Sequence, residues 1–275
     1  QPDNIYRIDL QLGPDADVTA ELAEDRVLPR IRAVVGDTPF KIDWKSIYRF
    51  RCARLENFVH NRMIFVGDSA HVVSPFGARG GNGGIQDVDN LGWKLAAVLN
   101  GASPALIDSY NTERVQAADE NILNSARTTN FMTPKSATEA MFRNEVLCLA
   151  RTHEFARRLI NAGRLSLPCA LDSPLSTPGK APVPPGAAMI DAPHDGGWLL
   201  EAVQGDFTLL SVGSARRADH ADLRCVHTSD KTAVARYGDG MTYLLRPDGH
   251  VAAVFRDPTP ADIASAQKRA TGEMP

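Results

Sequence analysis

GDSAHVVSPFGARGGNGGIQD, residues 67–87, contains Gly67, Gly77, Gly80, Gly81, Gly83 and Gly84, from a chain with only 21 glycines. It follows MIFVGD (63–68), a short continuous apolar run of the kind expected for a central strand covered on both faces, which would deliver Asp68 at its carboxyl end. After it, IQDVDNLGWKLAAVLNG (85–101) predicts a helix with Ile85, Val88, Leu91, Leu95, Val98 and Leu99 on one stripe and Gly101 at its end. The order is therefore strand, aspartate, glycine-rich loop, helix N-terminus. In open α/β sheets ligands sit beyond the carboxyl ends of strands, and a helix N-terminus offers unpaired N–H groups at the positive end of its dipole. Glycines at 80, 81, 83 and 84 let a flat or anionic group come close to that backbone. The stretch is not a phosphate-binding P-loop, because it lacks GK[ST] and its only cation is Arg79. An ionised Asp68 would repel phosphate, but it suits the hydroxyls of a sugar or sugar alcohol. A tight turn whose glycines serve packing alone is the competing reading, and the leading aspartate counts against it.

The remaining composition narrows the classes. A chain of 275 residues with 43% hydrophobic and 23% charged residues has material for one large domain or two modest ones. A net charge of −3 gives no electrostatic reason to expect nucleic acid or an anionic membrane. No apolar run approaches the ~18 residues of a spanning helix, and QPDNIYRIDLQLG at the start has no signal-peptide pattern. With no initiator methionine there, the true N-terminus is expected to lie elsewhere. Cys52, Cys148, Cys169 and Cys225 form no CxxC or zinc-spaced cluster, so neither a metal nor a dithiol is expected, and buried thiols in a reducing, cytoplasmic setting fit best.

Upstream of the loop, NIYRIDLQL (4–12) alternates like a strand, residues 19–35 predict a helix closing at Gly36, and IDWKSIYRFRCAR (42–54) alternates again. In that last stretch Trp44, Ser46, Tyr48, Phe50 and Cys52 share one face, and Lys45, Ile47, Arg49 and Arg51 the other. Downstream, residues 136–163 show a helical pattern through Met141, Val146, Leu149, Phe155 and Leu159. STPGKAPVPPGAAM (176–189) reads as a linker laid over a surface. MTYLLRPDGHVAAVFRD (241–257) reads as a hairpin turning at Asp248-Gly249, with a closing helix in PADIASAQKRATG (260–272).

The run RMIFVGDSAHVVSPFGARGGNGGIQDVDNLGWKLAAVLNG closely resembles the second flavin-binding segment of the FAD-dependent aromatic-ring hydroxylases of the para-hydroxybenzoate hydroxylase type. The matching positions are Gly67, Asp68, Ala70, His71, Pro75, Gly77, Asn82, Asp87 and Asn90-Leu91-Gly92-Trp93-Lys94-Leu95. LIDSYNTERVQAA (106–118) resembles the family's following Y-x-x-E-R helix, and ARRLINAGRLSLP (156–168) is similar to the subgroup acting on hydroxyphenylpropionate-like phenols. That subgroup carries a C-terminal thioredoxin-like domain without redox cysteines, which agrees with the lack of CxxC. The resemblance implies FAD as cofactor, NAD(P)H as co-substrate, O2 and a phenolic small molecule as reactants, and homodimer contact as a role for the C-terminal domain. It places Gly67, Asp68, Pro75, Gly77, Gly80, Gly81, Asn82 and Gly83 against the flavin, with Asp68 on the ribityl hydroxyls. His71 reads as a structural hydrogen-bonder, Tyr110, Glu113 and Arg114 as packing and salt-bridge residues, and Trp93 as core. No catalytic acid or base is assigned; Tyr48 is the candidate on the aromatic face, with core packing the stronger reading.

The expected fold is α/β: a partial FAD-binding, Rossmann-like domain with a substrate-domain remnant, plus the thioredoxin-like domain. The expected divisions are 1–58 for the remnant and return strand, 59–172 for the flavin-binding part, 173–188 for a linker and 189–275 for the last domain. The family's GxGxxG strand-turn-helix for the FAD pyrophosphate occurs nowhere in these 275 residues, nor do most of the substrate domain and the middle G-D motif. The expectation is thus the carboxyl-terminal portion of a hydroxylase, inactive alone. The alternative is a non-enzymatic interaction or dimerisation module with a vestigial flavin-binding half.

Overall fold

An alternating stretch becomes a strand only where a neighbour completes its hydrogen-bond ladder. The computed structural model describes residues 1–13, 15–75, 77–160 and 168–273, which form two compact units, Gln1–Phe50 and Arg51–Pro275. In the first unit the expected strands do not form. Residues 4–12 pair with nothing among the described residues, and of 42–54 only Ala53–Arg54, in the second unit, enters a ladder. With no partner strand beside them, the backbone groups of these stretches gain nothing from extended pairing. The rings of Trp44, Tyr48 and Phe50 still line up, with centroids 6.2 Å apart in each successive pair, and stand exposed.

The helix expected over 19–35 appears as α1 (Val18–Glu21) and α2 (Glu24–Val35). Asp17 caps α1 by accepting from the Ala20 amide at 2.9 Å. The ladder breaks where Arg26 N–H turns to the Ala23 carbonyl and the Leu22 carbonyl instead accepts from Lys45 Nζ at 2.7 Å. Gly36, at φ +62°, ends α2 as expected.

In the second unit, β1 (Ala53–Arg54) pairs antiparallel with β4 (His71–Val72). β2 (Val59–His60) and β3 (Met63–Ile64) make a tight hairpin. MIFVGD is thus not a central parallel strand: two of its residues join a ribbon, and Phe65 and Val66 are only half-buried, because no further strand lies beside them among the described residues. The Rossmann-like parallel sheet is accordingly not seen in this part of the chain.

Helix α3 (Arg79–Leu99) begins at Arg79 rather than Ile85, and the face it packs on α4 (Ala105–Met132) is centred on polar residues; of the expected stripe only Leu91 and Val98 are half-buried, Leu91 against the Phe58 and Tyr110 core. Ile85 is 69% and Leu99 79% exposed, and Val88 and Leu95 are exposed too. The buried face is Arg79, Gly83, Asp87, Asn90 and Lys94. Steps of four and three make this polar row a helical stripe in its own right, and burial of Asp87, Asn90 and Lys94 is tolerated because partners on α4 and beyond satisfy them. Trp93 is half-buried rather than core, its ring edge-on to Phe207 at 5.5 Å. The expected 136–163 helix is split into α5 (Ala137–Ala150) and α6 (Glu154–Ile160); its last three residues lie outside the described ones. Val146 is buried there, whereas Met141, Leu149, Phe155 and Leu159 are exposed. The cysteines also depart from expectation: Cys169 is buried, while Cys52, Cys148 and Cys225 are exposed.

The C-terminal part forms one four-stranded sheet. Its strands are β7 (Thr208–Val212), β8 (Arg224–Thr228), β9 (Thr242–Leu245) and β10 (Val251–Phe255), in the order β10-β9-β7-β8. β7 and β8 run parallel and the other pairs antiparallel. A small ribbon of β5 (Pro193–His194) and β6 (Gly197–Trp198) with α7 (Leu199–Val203) precedes it, α8 (Lys231–Tyr237) follows β8, and α9 (Pro260–Ala270) ends it. Leu210, Val212, Tyr243 and Leu245 fill one core while Leu209, Leu244 and Ala252 fill the other. Burial on both faces explains the consecutive apolar residues Leu209-Leu210 of β7 and Tyr243-Leu244-Leu245 of β9. Asp248-Gly249 sits at the hairpin turn as expected, with Gly249 at φ +70°. Residues 176–189 do run over the surface, but pinned along β10: Thr177, Gly186 and Met189 donate to the carbonyls of Ala252, Val251 and Gly249 at 2.8, 2.8 and 2.9 Å. They cover an edge that would otherwise stand open.

A buried ion network ties this sheet to the helices. Glu113 on α4 accepts from Lys94 Nζ at 2.7 Å, Asn90 Nδ2 at 2.7 Å and Arg246 Nη1 at 2.7 Å, and from the Ser173 hydroxyl. Arg246 also donates through Nε to Asp248 Oδ1 at 3.0 Å, and Asn90 reaches Asp248 at 3.1 Å. Burial opposes ionisation of Glu113, but the charges of Arg246 and Lys94 outweigh it and hold the carboxyl well below its usual range. Lys94 shares that one anion with Arg246, so burial wins and pushes its ammonium down to about 8. Burial likewise opposes the Asp248 charge, and Arg246 and His250 hold that carboxyl low.

Two outcomes follow. Glu113→Gln leaves two buried cations with a single carboxylate between them and should cost about 3–5 kcal/mol in urea unfolding. Because the native Glu113 and Asp248 carboxyls bind protons less readily than in the unfolded chain, their contribution is complete above the ordinary carboxylate range near ~4. It is lost as pH falls through their lowered native values. The urea midpoint of the parent protein should therefore drop as pH is lowered through and below that range, and in Glu113→Gln it should drop less steeply.

Candidate functional site

The loop ahead of α3 is built from a short turn and a buried carboxylate. Residues Gly67–Ser69 make a 3-10 turn closed by Ala70 N–H on the Gly67 carbonyl at 2.8 Å. The Ser69 hydroxyl donates to the Val66 carbonyl at 2.7 Å and accepts from its N–H at 3.2 Å, locking the turn from within. Asp87, fully buried on α3, reaches back to the same turn. Its Oδ2 accepts from Gly67 N–H at 2.9 Å and lies 2.7 Å from His71 Nε2, while Oδ1 accepts from Arg114 Nε at 2.6 Å. Burial disfavours the Asp87 charge, but the His71 hydrogen bond and the Arg114 guanidinium more than offset it and keep the carboxyl below its ordinary value.

Asp68 projects from this fixed turn with its side chain exposed and with no hydrogen bond or ion pair among the described residues. Pro75 is exposed, its carbonyl accepting from Ala78 N–H at 3.1 Å, and Gly77 takes φ +94° where the chain turns into α3. Ala78, the residue before the helix, holds φ +53° and supplies no side-chain cap, and no acidic residue occupies the first turn. The N–H groups at the start of α3 therefore meet no competing carboxylate. Asn82 folds back on its own helix, donating to the Ala78 carbonyl at 2.7 Å.

The glycines sort into two kinds. A Cβ on Gly81 would meet nothing within 4 Å, and one on Gly80 only Val73 at 3.7 Å. A Cβ on Gly83 would lie 3.0 Å from His71 Cε1, and one on Gly84 3.2 Å from the Gly67 Cα. Gly83 and Gly84 thus serve close packing of helix on turn, and Gly80 and Gly81 keep an outward face bare. The packing reading therefore holds for Gly83 and Gly84, but it does not account for Gly80 and Gly81.

His71 is buried against Phe58, with ring centroids 5.7 Å apart, and its bond to Asp87 is structural, as expected. Tyr110, Glu113 and Arg114 are likewise packing and ion-pair residues; the Tyr110 hydroxyl donates to the Phe65 carbonyl at 2.7 Å. Arg79 turns inward instead of facing a ligand. It is buried and donates through Nη1 to Asn121 Oδ1 at 2.8 Å, with Nε and Nη2 left unpartnered. The sequence marked Arg79 only as the loop's one cation, and its place on the row Arg79, Gly83, Asp87 was the available signal. Among the described residues, no group of three or more His, Cys, Asp or Glu is placed to hold a metal, and no helix is long and apolar enough to cross a membrane.

Residues 4–125 match a family model described as an FAD binding domain. The chain is 30% identical over 265 residues to the rifampicin monooxygenase of Streptomyces venezuelae, which covers 90% of this chain and 51% of that protein. It is 28% identical over 268 residues to the 12-dehydrotetracycline 5-monooxygenase/anhydrotetracycline 6-monooxygenase of Streptomyces rimosus, covering 91% and 52%. Among solved structures, the rebeccamycin biosynthetic enzyme RebC with reduced flavin superposes with a TM-score of 0.70 at 27% identity, over 90% of this chain and 52% of RebC. The chain spans about half the length of the curated relatives it matches. The matched residues 4–125 include the whole of residues 62–101, and in sequence and in fold the chain is similar to FAD-dependent aromatic monooxygenases.

Proposed function

We propose that this chain is the carboxyl-terminal portion of a monooxygenase that hydroxylates a phenolic small molecule with NAD(P)H and O2, and that residues 67–83 hold the flavin of FAD. The observation that carries the reading is an exposed, unpartnered carboxylate at Asp68, fixed through Gly67 by Asp87, beside an uncapped helix start whose Gly80 and Gly81 are bare. That surface fits the group. Asp68 would accept from ribityl hydroxyls, Pro75 and Gly77 would lie along the ring system, and the first N–H groups of α3 would face the edge where negative charge gathers on reduction. Gly67, Gly83 and Asn82 would act from behind, shaping the turn and the first helical turn. The buried Arg79 adds uncompensated positive charge beneath the loop. When bound, the flavin supplies the electron storage and oxygen activation; the chain's residues bind it, orient it and stabilise its charge.

The C-terminal part is read as thioredoxin-like. Counting β7 to β10 as one to four, the order is 2-1-3-4 with the third strand antiparallel, α8 after the second and α9 after the fourth. An irregular stretch replaces the first crossover helix. No CxxC is present, so packing or homodimer contact is its proposed role, in a cytoplasmic protein. The divisions 1–58, 59–172, 173–188 and 189–275 remain the proposed organisation, with the exposed stripe of α3 covered by the rest of the flavin domain in a full-length protein. The second reading, an interaction or dimerisation module with a vestigial flavin half, draws on the extent of exposed apolar side chains on α3, α5 and α6.

Flavin binding separates the two readings. In a full-length setting, Asp68→Ala should weaken FAD binding by about 1.5–3 kcal/mol, the value of a charge-assisted hydrogen bond, read as flavin lost on dialysis; full retention would reject the assignment. Gly81→Val should abolish flavin binding with unchanged thermal stability, whereas Gly83→Val should lower the melting temperature of the flavin-free chain. The reverse pattern would mean that Gly81 packs and Gly83 faces the ligand. For the 275-residue chain alone, a few hydrogen bonds of ~0.5–1.5 kcal/mol each must offset at least ~4 kcal/mol of lost translational and rotational freedom. Titration followed by flavin fluorescence should therefore show weak binding, and tight stoichiometric uptake would overturn the partial-site reading.

A further inference from the structure

The outer edge of the C-terminal sheet carries a second candidate site. β8 is an edge strand. Arg224 N–H bonds the Phe207 carbonyl and Gly213 N–H the Thr228 carbonyl, at 3.1 and 2.8 Å. In a parallel ladder this parity turns the backbone groups of Arg224, Val226 and Thr228 toward β7 and those of Cys225 and His227 outward. Along this edge runs a cleft of about 680 Å³ between β8, the β5–β6 turn and the segment after β7. Its volume falls in the range of small-molecule sites.

Three nitrogen-bearing side chains line the cleft from three separate segments: His194 from β5, Arg217 from the segment after β7 and His227 from β8. Arg217 is exposed and has no ion pair or hydrogen bond among the described residues. His227 Nδ1 is buried without a partner. Burial, with the nearby charges of Arg217 and His194, pushes the His227 imidazole below its ordinary value, so these groups feel one another as like charges. Two carboxylates also line the cleft. Asp230 is committed to α8, accepting from Thr232 and Ala233 N–H at 2.8 and 3.2 Å. Asp195 stands at the rim, 91% exposed and 3.6 Å from His194 Nε2.

We propose that this cleft binds the oxyanion group, carboxylate or phosphate, of a small molecule, held by Arg217, His194, His227 and the outward N–H groups of Cys225 and His227. An oxyanion would supply the acceptor that Arg217 and His227 lack, and a planar guanidinium presents paired donors to either group. The site needs no flavin, so it stands or falls apart from the function proposed above.

The test is an NMR titration of this chain, following the ring protons of His194 and His227, with inorganic phosphate and acetate as separate probes and potassium chloride at matched ionic strength as control. At least one probe should move both histidines saturably, and the responding probe identifies the oxyanion. Arg217→Ala should weaken that binding at least fivefold, and Asp195→Asn, which removes the rim carboxylate, should tighten it. Both substitutions lie on exposed side chains, and a Tm within the parent's range certifies the fold. Shifts no larger than those with chloride for both probes, or the same affinity in Arg217→Ala, would overturn the proposal; so would weaker binding in Asp195→Asn.

Discussion

The carboxylate of Asp87 joins the pieces on which the loop depends. It sits inside the protein and accepts from a backbone N–H at Gly67, meets the ring of His71 and pairs with Arg114. Those three groups come from the turn, from β4 and from α4, so one side chain fixes the helix that follows the loop to the turn that precedes it. A buried carboxylate is costly unless its lone pairs are filled, and here both oxygens are used. The arrangement has a single geometry in which this holds. That geometry leaves Asp68, the next residue after Gly67, pointing to solvent with nothing else to bind.

Helix α3 repeats the same logic along its length. Its packed face is polar, and most of its side chains are matched: Asp87 to Arg114 and His71, Asn90 and Lys94 to Glu113, whereas Arg79 meets only the neutral Asn121. Glu113 in turn holds Arg246, whose side chain comes from the hairpin of the C-terminal sheet. Asp248 therefore has two tasks, one in the turn it helps form and one as the second counter-ion of Arg246. Through this network the sheet is fastened to the two long helices by charge as well as by apolar contact, and Trp93 roofs it with its ring 5.5 Å from the Arg246 guanidinium.

The loop shows how one glycine-rich motif can serve two demands. Where α3 crosses the turn, Gly84 lies over Gly67 and Gly83 over His71, and any side chain would push the elements apart. One turn away the same helix presents Gly81 to open space, with Gly80 in ordinary contact range of Val73 alone. Packing glycines set the position of the helix start, and bare glycines keep its N–H groups approachable. Bare glycines at a helix start let a flat ligand approach the backbone closely, which packing alone does not require.

Local signals were read correctly wherever the deciding interaction was itself local. Gly36 ends the second helix, Asp248-Gly249 makes its hairpin, Pro260 opens α9, and the aspartate, the glycines and the helix start stand in the predicted order. The ordered motif from Arg62 to Gly101 was enough to give the resemblance to flavin-dependent hydroxylases, because its residues lie in one continuous segment. What the sequence could not settle depended on which neighbour was present. Residues 4–12 and 42–52 alternate like strands but pair with nothing among the described residues, so the pattern has no ladder to express it. The apolar stripe of α3 looked like the packed face because hydrophobicity is the usual guide to burial. The choice fell instead to Asp87, Asn90 and Lys94, whose partners on other elements lie 16 to 158 residues away in the chain. A polar residue reads as solvent-facing until the group that neutralises it is known, and only the tertiary structure brings that group alongside.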